Sequence, residues 1–167
     1  MKQMTKANIE AAFAGESQAH MKYNVYADKA ERDGFPQVAK LFRAIAFAER
    51  VHATNHLRVL EKVKETAANL VDAAGGEHYE VEEMYPAFEA VAERQQDKNA
   101  LRSIRYAVAA EKIHVTMYTE AQKNVVQGKD IPSAAVYVCP VCGHTVIGEA
   151  PDKCPVCGLA KEKYQQF

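Results

Sequence analysis

Tryptophan is absent from this chain, glycine and proline are scarce at 8 and 6 of 167 residues, and no cysteine occurs before position 139. Neither sign of charge is in surplus: 21 lysines and arginines meet 22 acidic residues, for a formal net charge of -1. That balance gives no electrostatic reason to expect a nucleic-acid or membrane partner, and leaves small molecules or proteins as partners. No segment reaches the roughly 18 apolar residues of a membrane helix. The stretch Met1-Lys2-Gln3-Met4-Thr5-Lys6 has no apolar run behind it, so a cytoplasmic protein is expected. In a reducing compartment, two C-x-x-C pairs confined to the last 29 residues read as a metal site before they read as disulfides.

What is present is helical. From Thr5 to Gly128 the chain is rich in Ala, Glu, Lys, Leu and Val with apolar residues at helical spacing. A first helix is expected from a Thr5 cap to about Asp33, where Gly34 stops it and Pro36 opens a second that runs to about Glu65. Thr66 can cap a third, Ala67 to about Gln95, and Asp97 a fourth, Lys98 to about Gln127, closed by Gly128. The third should be distorted, since Gly75-Gly76 weakens it and Pro86 removes a backbone bond near Glu82. The reading is an all-α four-helix bundle over residues 1–128, a linker over 129–136 and a small metal-knuckle domain over 137–167. Superposing residue 49 on 111 matches Arg43 with Arg105, Ala48 with Ala110, Glu49 with Glu111 and His52 with His114, which reads as a duplicated helical hairpin.

Counted from these helix starts, Glu16 lies 11 residues in, and Glu49, Glu80 and Glu111 each lie 13 residues in, so all four fall at one level. Glu49 with His52 and Glu111 with His114 form Glu-x-x-His pairs, and residues three apart share a helix face. A lone glutamate from each of two helices plus Glu-x-x-His from the other two is the ligand set of di-iron carboxylate bundles. Hard carboxylates can bridge two cations, and imidazole suits iron while leaving one nitrogen for an outer anchor. Burying these carboxylates without a cation would be prohibitive. Glu83, whose repeat counterpart is Ala19, is a seventh candidate ligand or else a surface glutamate. Tyr23 and Tyr118, seven residues after Glu16 and Glu111, either hydrogen-bond a ligand carboxylate or pack in the core. His20 and His56 read as outer or surface residues, and His78 and His144 carry no signal.

Cys139-Pro-Val-Cys142 and Cys154-Pro-Val-Cys157, each followed by glycine, form two matching knuckles for a tetrahedral tetrathiolate. Gly143 and Gly158 permit the tight turns. Spacing alone leaves iron and zinc open, and with them a zinc-ribbon adaptor. Tyr137, Tyr164 and Phe167 should supply most of the module's small core, so the metal must supply much of its folding energy.

With these motifs the chain resembles the rubrerythrins, in which a ferritin-like di-iron bundle is fused to a rubredoxin-like domain. The resemblance rests on Ala14-Gly15-Glu16-Ser17-Gln18-Ala19-His20, the two Glu-x-x-His pairs, Glu80-Val81-Glu82-Glu83-Met84-Tyr85-Pro86 and the cysteine pairs. It implies that Glu16, Glu49, His52, Glu80, Glu83, Glu111 and His114 hold two irons and that the four cysteines hold a third, which zinc can replace in a recombinant sample. It also implies reduction of hydrogen peroxide to water in oxidative-stress defence, with electrons passed from a rubredoxin-type donor and, indirectly, from NADH. Glu83 and His52 map to the positions between which one iron moves with redox state, and with Tyr23 they form the expected catalytic set. The competing reading is a ferroxidase or iron-handling protein, which has no use for the cysteine iron. In ferritin-like topology the second and third helices run parallel, which Glu65-Thr66 cannot bridge, so the resemblance further implies a homodimer with swapped helix pairs.

Overall fold

The computed structural model describes every residue, Met1–Phe167, and divides into two compact units, Met1–Lys64 and Glu65–Phe167.

The first unit is a helical hairpin of α1 (Gln3–Arg32) and α2 (Pro36–Val59). The helix begins ahead of Thr5: Lys2 is extended, and its carbonyl accepts from the Lys6 N–H at 3.0 Å. At the far end Gly34 takes φ +84°, and the Phe35 N–H returns to the Ala30 carbonyl at 2.8 Å, a glycine-dependent stop that feeds Pro36 into the first turn of α2. Ala39, Ala46 and Ala53, spaced by seven, are buried along α2, and Ala27 and Ala30 are buried along α1. Ala27, Ala30 and Ala39 pack together under Phe42. Small side chains at this spacing let the two backbones approach closely along one seam. Arg43 of α2 clamps the seam by pairing with Asp28 and Glu31 of α1. The helix α2 ends at Val59, six residues short of the expected end. Glu61 adopts φ +56° and the Lys62 N–H turns back to the Leu57 carbonyl at 3.3 Å, so the stop is made without a glycine.

The second unit opens with α3 (Thr66–Tyr79), a π-helical turn (Glu80–Met84) and α4 (Tyr85–Gln95), which together form the third long helix, and α5 (Lys98–Val126) packs against it. The expected distortion is this π turn. It ends just before Pro86, which has no N–H to give and sits in the first turn of α4. Glu65, not Thr66, precedes the first turn of α3, with no side-chain cap. Asp97 does cap α5, accepting from the backbone N–H groups of Asn99 and Ala100 at 3.0 Å. Gly128 ends α5 with φ +70°, and the Lys129 N–H reaches the Asn124 carbonyl at 3.0 Å. Arg105, the repeat partner of Arg43, pairs with Glu89 and Glu93 of α4. The duplication seen in the sequence is thus reproduced in its ion pairs.

Beyond residue 135, β1 (Val136–Val138) pairs antiparallel with β2 (Thr145–Ile147) and with β3 (Gln165–Gln166), in the order β2-β1-β3. A 3₁₀ turn over Lys161–Lys163 leads into β3. Cys139, Cys142, Cys154, Ala150 and Tyr164 form the module's core, with Tyr137, Leu159 and Tyr106 of α5 against it. Phe167, expected in that core, is 70% exposed, because only its backbone is used, pairing with Val136.

Candidate metal centre

Each helical pair gathers one set of ligand atoms. On the first, carboxylate oxygens of Glu16 and Glu49 and a ring nitrogen of His52 lie within 4.8 Å of one another. The Glu-x-x-His spacing brings His52 Nδ1 to 3.0 Å from Glu49 Oε2. On the second, Glu77, Glu111 and His114 meet the same limit, with His114 Nδ1 2.6 Å from Glu111 Oε2 and 4.0 Å from Glu77 Oε1. Burial, a hydrogen bond to Glu111 and the charges of Glu111 and Glu80 push the Glu77 carboxyl up to about 7. Glu80 is raised by burial and by the charge of Glu111, which places it beside the same group. Burial also raises the Tyr85 phenol, as do the charges of Glu80, Glu111 and Glu77. Three crowded carboxylates with a phenol and an imidazole beside them form a site whose repulsion a cation relieves, and the oxygen and nitrogen donors suit iron.

Glu83, expected as the additional ligand, is exposed and belongs to neither group, whereas Glu77, one turn before Glu80 and not among the expected ligands, lies with Glu111 and His114. The cause is the π turn, which inserts one residue into the third helix. After the turn, Ala92 and Glu93 stand 62 residues from Ala30 and Glu31, the offset that also relates Glu49 to Glu111. Before it the offset is 61, which aligns Gly76-Glu77 with Gly15-Glu16. Carrying the 62-residue offset back across the insertion sets Glu16 opposite His78, and a depth of 13 residues from Ala67 falls on Glu80, so neither count reaches Glu77. The repeated Gly-Glu pair was the signal that identified Glu77.

Other expected residues fall as follows. Tyr23 makes ring contacts with Tyr26 and Phe42, 6.3 and 6.1 Å between centroids, so the packing alternative describes its neighbours. Tyr118 is exposed at the surface of α5. His20 ties α1 to α2 by donating from Nδ1 to the Ala46 carbonyl at 2.7 Å. His78 is exposed and His56 half-buried. His144, without a signal in the sequence, is buried, with its Nδ1 3.0 Å from the Tyr164 hydroxyl oxygen.

The four cysteine sulfurs also lie within 4.8 Å of one another, with Cys139–Cys157 and Cys142–Cys154 at 3.5 Å. A tetrahedral ion with bonds of about 2.3 Å needs sulfurs about 3.8 Å apart, so a small contraction or expansion suffices. The knuckles match: the Gly143 N–H returns to the Cys139 carbonyl at 3.0 Å and the Gly158 N–H to the Cys154 carbonyl at 2.9 Å, with φ of +79° and +78°. Burial opposes ionisation of Cys154, but hydrogen bonds from the Tyr164 hydroxyl and the Cys157 and Val156 N–H groups bring its thiol down to about 6. Burial pushes Cys142 up, as expected of thiols crowded without a cation.

Residues 7–122 match the family model for rubrerythrin, and residues 137–165 match the model for the rubrerythrin rubredoxin-like domain. The chain belongs to the rubrerythrin family. It is 39% identical to Rubrerythrin-2 of Clostridium acetobutylicum over 98% of this chain and 97% of that one. It is 33% identical to the rubrerythrin of Nitratidesulfovibrio vulgaris, covering 96% and 93% of the two chains. Among solved structures, fully reduced, all-ferrous nigerythrin matches with a TM-score of 0.58 at 31% identity, over 98% of this chain and 86% of that one. The four helices are therefore those of a ferritin-like bundle and the cysteine module is rubredoxin-like. As in other rubrerythrins, the cofactors are a di-iron pair among the glutamates and histidines and one iron on the four cysteines, and the chain is an oxidoreductase of a peroxidase-type family. No helix is long and apolar enough to cross a membrane.

Proposed function

We propose that this protein is a cytoplasmic non-haem di-iron peroxidase that reduces hydrogen peroxide to water, refilled with electrons through its own cysteine iron by a rubredoxin-type donor fed indirectly from NADH. The observation that carries the reading is the presence in one chain of two matched Glu–Glu–His groups and a complete tetrathiolate site. Glu16, Glu49 and His52 hold one side of the iron pair and Glu77, Glu111 and His114 the other. Glu80 takes the role of the additional acid expected at Glu83. A diferrous pair supplies the two electrons that cleavage of the peroxide O–O bond consumes. Tyr85, among the carboxylates, offers a hydrogen-bond donor on their side of the pocket.

The two half-sites are completed by two chains. In a parallel arrangement the link from α2 must travel back along a 24-residue helix, about 36 Å. The seven steps from Val59 to Thr66 reach about 25 Å at full extension. The face of α2 that carries Val38, Leu41, Ile45 and His52 is exposed, with Leu41 at 60%. We therefore assign that face to the α3–α5 pair of a second copy, which gives a homodimer with exchanged helix pairs.

Anaerobic loading followed by rapid mixing tests the function. We expect three irons per chain, oxidation of the reduced protein by peroxide at least tenfold faster than by air, and sustained turnover with a rubredoxin and its reductase. Faster reaction with air and no turnover would return the protein to the ferroxidase reading.

A further inference from the structure

The hydroxyl oxygen of Thr145 lies 2.9 Å from Nε2 of His114 and 2.9 Å from the carbonyl oxygen of Gly143. Nδ1 of the same imidazole is 2.6 Å from Oε2 of Glu111. A carbonyl only accepts, so the single hydroxyl proton of Thr145 goes to Gly143, and the Thr145 oxygen accepts from His114. Nε2 therefore carries a proton, which leaves Nδ1, the nitrogen that faces Glu111 and Glu77, as the one that can ligate metal.

Every atom of this chain of hydrogen bonds beyond His114 belongs to the cysteine module. Gly143 closes the first knuckle, one residue after Cys142, and a Cβ on it would stand 3.5 Å from Cβ of Ala110, one turn before His114. Thr145 is buried at the start of β2, opposite Val138. The knuckle that presents both groups is closed on the sulfurs, with the Cys139 N–H on the His144 carbonyl at 2.9 Å. A module this small draws its order from the metal that its thiolates hold.

We propose that Thr145 is a positioning residue that couples metal loading at the two centres of one chain, the filled cysteine knuckle fixing His114 in the tautomer that binds metal. The inference rests on His114 being a ligand, as assigned above. Loss of an outer hydrogen bond to a ligating histidine weakens metal binding by about 10- to 100-fold. Linkage makes the effect reciprocal, so metal on His114 secures the knuckle by the same factor.

The test uses full-length protein with zinc in the cysteine site, titrated anaerobically with ferrous ion, in wild type, Thr145→Val and Thr145→Ser. We expect Thr145→Val to weaken ferrous binding by about 10- to 100-fold and Thr145→Ser to restore it. Imidazole nitrogen resonances of the wild type, before iron is added, should show His114 protonated on Nε2, a readout that depends on no variant. Ferrous binding by Thr145→Val within twofold of wild type, or a wild-type His114 with no proton on Nε2, would overturn the coupling while leaving the ligand assignment intact. A wild type that takes up no ferrous ion would sink the ligand assignment itself, and the coupling with it.

Discussion

Tyr85 donates its backbone N–H to the carbonyl of Glu80, five residues back where an α-helix would use four. This one wide turn separates the third helix from the first as its duplicate. Upstream of it Glu77 occupies the place of Glu16, and Glu80 has no partner in the first hairpin. Glu80, which the first hairpin does not match, and the irregular turn are therefore one feature.

That relation sorts the two candidate acids. Glu80→Ala should keep both irons and slow single-turnover oxidation of the diferrous protein by peroxide by at least tenfold, with oxidation by air much less affected. Glu83→Ala should be indistinguishable from wild type in both reactions. Stopped-flow mixing with iron analysis checks this, and a slow Glu83 variant beside a normal Glu80 variant would reverse the assignment.

The oxidised protein should be red from a ferric tetrathiolate. Cys142→Ser should abolish the colour and leave helical circular dichroism essentially unchanged, because the helices do not draw their order from the sulfur site. Visible and far-ultraviolet spectra on one sample decide it, and loss of both signals together would contradict the separation.

At the start of α5 the Asp97 carboxylate satisfies two backbone N–H groups that no helical carbonyl can reach. Asp97→Ala should cost about 1 kcal/mol of stability and Asp97→Asn much less. Denaturant midpoints at fixed protein concentration measure the difference.

Insertion of about 20 polar residues between Lys64 and Glu65 should allow α1 and α2 to fold back onto their own chain at modest entropic cost. Sedimentation equilibrium should then show a growing monomer fraction that retains iron. A dimer as tight as wild type would count against exchange of helix pairs.

Local signals carried most of the fold into the sequence. Gly34, Gly128 and Asp97 act on their nearest backbone groups, and each marks a helix end where expected. The end of α2 left no such mark, because Glu61 takes a left-handed conformation usually reserved for glycine. The metal site was legible where it follows helical spacing, in Glu49 with His52 and Glu111 with His114. It was obscured where the period changes, since a single inserted residue turns a helix by about 100° and shifts every position counted across it. Thr145 was invisible for another reason: its partner His114 is 31 residues away, and only the seating of the knuckle on α5 brings them together.

The exposed apolar face of α2 has a consequence for how much of this protein a cell must hold. If that face is covered only by a second chain, folding and association become a single event, and the stability of the active form is set by abundance. Each tenfold dilution then costs the dimer about 1.4 kcal/mol, so the melting temperature should climb with concentration. Below some copy number the chains would carry complete sequences for a metal centre and yet hold none, each with half of its ligands waiting in solvent.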